Sequence, residues 1–253
     1  NSIRISLKLL KKNEDGISSF VPYLRKNEME FLQHYLPGTP VEKNSHTSIG
    51  AIFQRIINLG EITWVKGFQL EMANMDLKET QKNVLTDSSA FNNATRPKGK
   101  HYDYEAESKV FALFSGVENI NLGNNLLGFG DIRAESIHYS YDNKMLDGNT
   151  RDDGSVCGFG GCYYNRPADR SDNHHEISAR LGLETNNEGI NYFAQGSLGF
   201  RPPQINEAYR LQKKQSVSDL DSETLYFLNK ILNDLNLKKI RNSILSEALP
   251  VKV

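Results

Sequence analysis

The stretch EISARLGLETNNEGINYFAQGSLGF, residues 176–200, decides the fold. Ile177, Ala179, Leu181 and Leu183 fall on one side of an extended chain, with Ser178, Arg180 and Glu184 on the other. After the turn residues NNEG the alternation resumes, placing Ile190, Tyr192, Ala194, Leu198 and Phe200 opposite Asn191, Gln195 and Ser197. Two alternating runs joined by an Asn- and Gly-rich turn read as a β-hairpin with one apolar face. That face belongs either to a core or to lipid.

The same two-residue period opens the chain, where Ile3, Ile5, Leu7 and Leu9 oppose Arg4, Ser6 and Lys8. Weaker alternation in SIGAIFQRII, EITWVKGFQLEM, YEAESKVFALFSGVE and LLGFGDIRAESIHYSY completes a set of eight predicted strands. They lie near 3–10, 17–24, 48–57, 61–72, 104–118, 126–141, 176–185 and 190–200. Several exceed the roughly five or six residues of an ordinary strand and approach the roughly nine to eleven that a tilted strand needs to cross a bilayer.

The connections alternate in length. KKNEDG, NLG, NINLGNN and NNEG are tight turns, whereas residues 25–47, 73–103, 142–175 and 201–222 read as long polar loops. Short turns at one end and long loops at the other are the habit of an outer-membrane barrel, with the long loops extracellular. The main alternative is a secreted soluble β-sandwich that binds a ligand through its loops and buries the apolar strand faces. Lys66, on the same face as Ile62, Trp64 and Phe68, suits the barrel only if it snorkels toward a rim.

Bulk properties narrow the classes. Thirty basic residues against 31 acidic ones give a net charge of -1 over 253 residues, so nucleic acid is not an expected partner. No run of about 18 apolar residues is present to form a transmembrane helix, a test to which β-barrel strands are blind. After about Glu223 the period changes: Leu228, Ile231, Leu232 and Leu235 recur at helical spacing, so residues 225–253 read as a divergent tail that is helical or disordered.

Few motifs carry chemistry. Cys157 and Cys162 in RDDGSVCGFGGCYYNRPADRSD read as a loop-stapling disulfide; with His174 and His175 they lack zinc-site spacing. The aspartates of the same loop do not match a calcium loop, and RPKGK at 96–100 is no phosphate loop. No catalytic constellation, metal site or cofactor is expected. Met29, Phe31, His34, Tyr35 and His46 concentrate aromatic and ligating groups in the first loop, where they either grip a ligand or pack on neighbouring loops.

GFRPPQINEAYRLQ, followed by SDLDSE, resembles the signature of TonB-dependent outer-membrane receptors, in which a strand ends in a GFR-x-P element before an ELY-like triplet and an LxPE-like segment. Gly199, Phe200, Arg201, Pro202 and Pro203 match the first part, Glu207, Ala208 and Tyr209 the second, and Leu220 to Glu223 the third. Ala208 stands where the family has Leu, and Asp221 and Ser222 depart from the residues before the Glu. GKHYDYE at 99–105 and MEFLQHYLPGTPVEKN at 29–44 also look like strand ends and loops of such receptors.

The resemblance covers roughly residues 1–224. It implies that these eight strands are part of a 22-stranded transmembrane β-barrel, occluded by a plug domain, powered through the TonB complex and set in outer-membrane lipid. It further implies a small-molecule ligand such as a ferric chelate, held by outer-loop residues including Tyr163, Tyr164, Arg166, Tyr209 and Arg210. On this reading the chain is an internal piece, with the plug and TonB box outside it, and not an enzyme.

Overall fold

The computed structural model describes residues 1–33, 38–86, 88–185, 190–212 and 229–233. The chain divides into two units, Asn1–Leu211 and Gln212–Val253. In the second, residues 229–233 are helical and include Ile231 and Leu232 of the predicted helical run; Glu223, Leu228 and Leu235 lie outside the described residues.

The first unit is built on one antiparallel sheet. Its strands are β1 (Ser2–Ser6), β2 (Leu9–Asn13), β3 (Gly16–Leu32), β4 (Val41–Leu59), β5 (Ile62–Gln81), β6 (Gly99–Gly123), β7 (Leu126–Asn143), β9 (Arg170–Thr185) and β10 (Phe193–Leu198). β8 (Tyr164–Asn165) lies in a loop, α1 (Ala90–Thr95) between β5 and β6, and α2 (Ile205–Tyr209) after β10. β1 and β2 pair with successive parts of β3, so they act as one interrupted strand, and the order from β1 through β3, β4, β5, β6, β7 and β9 to β10 is a simple meander. This is the all-β, antiparallel barrel-wall architecture that the alternation predicts. No described helix is long and apolar enough to cross a membrane.

Residues directly opposite in an antiparallel ladder share a face, so the register assigns every side chain to a side. One face carries Ile5, Leu24, Ile49 and Met72 in one row and Leu9, Phe20, Phe53, Phe68, Leu113, Ala134 and Ile177 two rows below it. No second sheet covers these groups among the described residues: Ile49 is 61% exposed, Ile177 60% and Leu181 71%. The opposite face is polar and internally paired. There Arg25 meets Glu71 at 2.5 Å, Arg180 meets Asp131 at 2.6 Å, and Arg133 binds Glu135 and reaches Gln69 at 3.1 Å.

The apolar band crosses the ladder obliquely. Its upper edge is Ile3 on β1, one row above Ile5, but Ile177 on β9, two rows below Ile5; its lower end drops likewise from Leu9 on β2 to Leu183 on β9, while on β4 and β5 outward apolar groups continue to Leu59 and Ile62. Three rows are lost over the six strand-to-strand steps from β1 to β9. With two residues per row, about 3.4 Å per residue and about 4.8 Å per strand, the slope is about 35°. A level slab of lipid touches such a sheet only if the strands tilt by that angle, within the roughly 35–45° of membrane barrels. The band's seven-residue depth, so tilted, is about 20 Å.

The strands run well beyond the alternating segments. Residues 25–32, 41–47, 73–81, 99–103 and 170–175, expected as loop, are paired strand. Both of their faces are largely polar, so no period marks them, yet the ladder satisfies their backbone and cross-strand charges line the outward side. Lys43 meets Glu30 at 3.1 Å, Lys78 meets Asp103 at 3.3 Å, and Lys144 meets Glu105 at 3.0 Å. At the other end the turns are tight. Asn124 and Asn125, at φ 51° and 57°, supply the left-handed pair that a two-residue hairpin turn requires.

Candidate functional site

At the long-loop end, above the apolar band, the connections fold onto the polar face of the sheet and bury its aromatic residues. Register places Leu77, Tyr104 and Ala106 with Tyr141 on that face. Cys157, Cys162, Tyr164, Ile205 and Tyr209 from the loops complete a cluster with Tyr102, Ile137 and Tyr139. Tyr209 stacks on Tyr141 with centroids 4.5 Å apart, and His101 stacks on Tyr164 at 4.4 Å. Burial pushes the Tyr164 hydroxyl up to about 12 and raises Tyr102, Tyr104, Tyr141 and Tyr209 as well, so all five stay neutral.

The segment that follows β10 is the strap of this site. The sheet ends at Leu198, and Gly199 to Pro203 lead away from it, because Pro202 and Pro203 cannot donate to a ladder. Glu207 closes a capping box on Gln204 and binds Arg201 at 2.8 Å, which starts α2. Tyr209 then donates to Asp172 at 2.8 Å, Tyr104 donates to Asn206 at 2.9 Å, and Tyr102 donates to the Leu211 carbonyl.

Arg210 fastens the end of the strap. Its guanidinium bridges two carboxylates from neighbouring strands, Glu42 at 3.1 Å and Glu79, and donates to Gln33 at 2.6 Å. Glu79 also faces the His101 ring at 3.1 Å. Burial pushes the Glu79 carboxyl up, but the His101 hydrogen bond and the Arg210 charge outweigh it, and its pKa lies below the ordinary value. Burial likewise lowers Arg210, and Glu79 and Glu42 more than reverse this, so Arg210 stays charged.

The sign of the resulting pH dependence follows. A depressed Glu79 stabilises the docked strap fully above the ordinary glutamate pKa of about 4.3, and that stability is lost as pH falls through the lower folded value. Amide exchange of residues 205–211 is therefore expected to be flat from neutral pH down to about 5, after correction for intrinsic exchange, and to accelerate below about 4. Acceleration on the alkaline side of neutrality would contradict this assignment.

The β7–β9 loop is organised by Arg166, 1% exposed, which donates to the carbonyls of Leu146 at 2.6 Å, His101 at 3.2 Å and Thr150 at 2.8 Å. The predicted disulfide joins Cys157 and Cys162, with Cys162 fully buried. Arg96 lies 3.9 Å over the Tyr163 ring and ties this loop to α1. Alkylating reagents should spare both cysteines until the protein is reduced and unfolded. Replacing both with serine should cost about 2 kcal/mol, the loop-entropy value for so short a ring, confined to this loop. Ready alkylation of the native, non-reduced protein would refute the pairing.

Of the residues expected to touch a ligand, Tyr164, Arg166 and Tyr209 are buried within the loop framework, and Arg210 is committed to its carboxylates. Met29 and Phe31 sit on β3 and not in a loop, because the polar strand ends extend past the alternation. Met29 is exposed on the polar face, and the open cavity of about 560 Å³ at its strand is lined mainly by outward groups, among them Glu30, Lys43, Lys78 and Asp103, so it lies on the outer side of the wall. His34, Tyr35 and Glu223 lie outside the described residues. His46 is on β4. The sequence does not point to the network of Gln33, Glu42, Glu79 and His101: apart from Gln33 and Glu42, nine residues apart, its members are distant along the chain, and the strand register brings them together.

No family model matches the chain, and no curated protein matches it. Among solved structures it is similar to Copper transporter OprC, with a TM-score of 0.53 at 10% identity over 77% of this chain and 29% of that one. At that identity the likeness is one of fold. The chain spans 29% of the length of that transporter.

Proposed function

We propose that the chain is part of the wall of a TonB-dependent receptor in the bacterial outer membrane, importing a scarce nutrient such as a ferric chelate, and that it has no catalytic role. The observation that carries this reading is the oblique, exposed apolar band, whose slope matches the tilt of a membrane barrel strand. A sandwich needs a second sheet over that face. The paired charges of the other face suit a water-filled or plug-filled lumen, and the long-loop end, roofed by the strap and the disulfide loop, is its extracellular mouth.

Within this reading the apolar band faces lipid, and a plug domain and the TonB complex act through other parts of the receptor. The exposed Met29 and the half-buried Tyr163 and Phe31 are the parts of the mouth left for a small ligand. Likeness to a transporter for copper agrees with a metal-bearing cargo and leaves the choice of metal open. The test is the migration of the protein, extracted from washed outer membranes, with and without boiling. A heat-modifiable, detergent-soluble β species is expected; a water-soluble monomer with a β-type spectrum would overturn the reading.

A further inference from the structure

Resting on the membrane reading above, one outward row of the sheet stands apart. Lys11, Ser18, Arg55, Lys66 and Ser115 succeed one another across β2, β3, β4, β5 and β6 at one register level. A line drawn from Leu9 to Leu183 passes through Arg55 and between Lys66 and Trp64, and below it on β4 and β5 lie the outward Ile57, Leu59 and Ile62. Arg55 and Lys66 are directly opposed, an arrangement in which like charges repel.

Nothing of opposite charge lies between them. Among the described residues, the outward positions of this row and of the rows on either side hold no carboxylate. Arg55 reaches Asp15 in the β2–β3 turn with one nitrogen at 2.7 Å. Lys66 lies over the Trp64 ring, its ammonium 4.0 Å from the centroid, and Trp64 is itself fixed by donating to Ser115 at 2.8 Å. Two held cations beside an indole, two rows above the last pair before the β4–β5 turn, Leu59 and Ile62, form a receptor for an anion toward the short-turn end.

We propose that Arg55 and Lys66 bind the phosphodiester of an anionic phospholipid in the leaflet at the short-turn end, with Trp64 packed beside its glycerol and upper acyl chain. The phosphate relieves the repulsion between the two cations. This also explains how Lys66 is accommodated beside Phe68 and Trp64: it is a ligand of the interface, held at its edge.

The experiment is native mass spectrometry of the detergent-purified protein carrying this chain, offered phosphatidylglycerol or phosphatidylcholine. The native protein should retain one phosphatidylglycerol in preference to phosphatidylcholine. Arg55→Gln with Lys66→Gln should weaken that retention about 25-fold, the product of two cations each contributing about fivefold near an anionic surface. The charge-keeping exchange Arg55→Lys with Lys66→Arg should retain it, and Lys109→Gln, at the opposite margin of the band, should leave it unchanged. Equal retention of the two lipids by the native protein, or undiminished phosphatidylglycerol retention by the doubly neutralised variant, overturns the lipid site while leaving the membrane reading intact. A protein absent from the membrane fraction overturns both.

Discussion

Leu181→Arg should all but abolish the heat-modifiable, membrane-inserted species. Leu181 lies between the edges of the apolar band, two residues from Leu183 at the lower margin and four from Ile177 at the upper, and it is 71% exposed. At the middle of a bilayer an arginine on the lipid face costs about 2–4 kcal/mol, and near the interfaces about 0–1. The same substitution at Ile177 or Leu183 should therefore be tolerated. So should Ser178→Arg, which points to the polar face. Denaturant titration of the inserted protein reads the series. If the three outward arginines cost the same few tenths of a kcal/mol, as surface changes in water do, lipid does not cover this face.

The steepness of that series depends on a feature only partly legible in the sequence. Alternation in residues 3–10, 61–72 and 176–185 identifies the strands and their apolar sides, because lipid or core imposes a period of two. The obliqueness of the band needs the register, which comes from backbone pairing. Where both faces are solvated, as at Lys43, Asn44 and Ser45, there is no period to read, and those strand ends resemble loop. The site follows the same division. Cys157 and Cys162 are close in sequence and their pairing could be anticipated, as could the exit of the chain at Pro202 and Pro203. The partners of Arg210 could not: Gln33 is 177 residues away and Glu79 131. An exposed-looking Tyr-Arg pair in a polar loop is, once folded, a buried fastening.

That fastening gives the second large effect. Arg210→Met keeps much of the length and apolar stem of the side chain and removes its charge, leaving Glu42 and Glu79, both at most 5% exposed, facing each other across β4 and β5 with His101 as the nearest basic group. Breaking a buried ion pair by removing one partner costs about 3–5 kcal/mol. The strap is joined to the sheet mainly by Arg210, by the Tyr102, Tyr104 and Tyr209 hydroxyls and by stacking on Tyr141, so the cost should appear there as undocking while the ladder from β3 to β9 keeps its protection. Exchange at residues 205–211 should rise by two orders of magnitude or more, as about 3 kcal/mol requires, with little change elsewhere. Adding Glu42→Gln and Glu79→Gln should recover much of the loss, since the penalty belongs to the stranded anions and not to the missing contact. If Arg210→Met leaves the strap protected, the tyrosine stack alone holds it. If the added glutamines worsen the defect, the carboxylates stabilise the wall independently of Arg210.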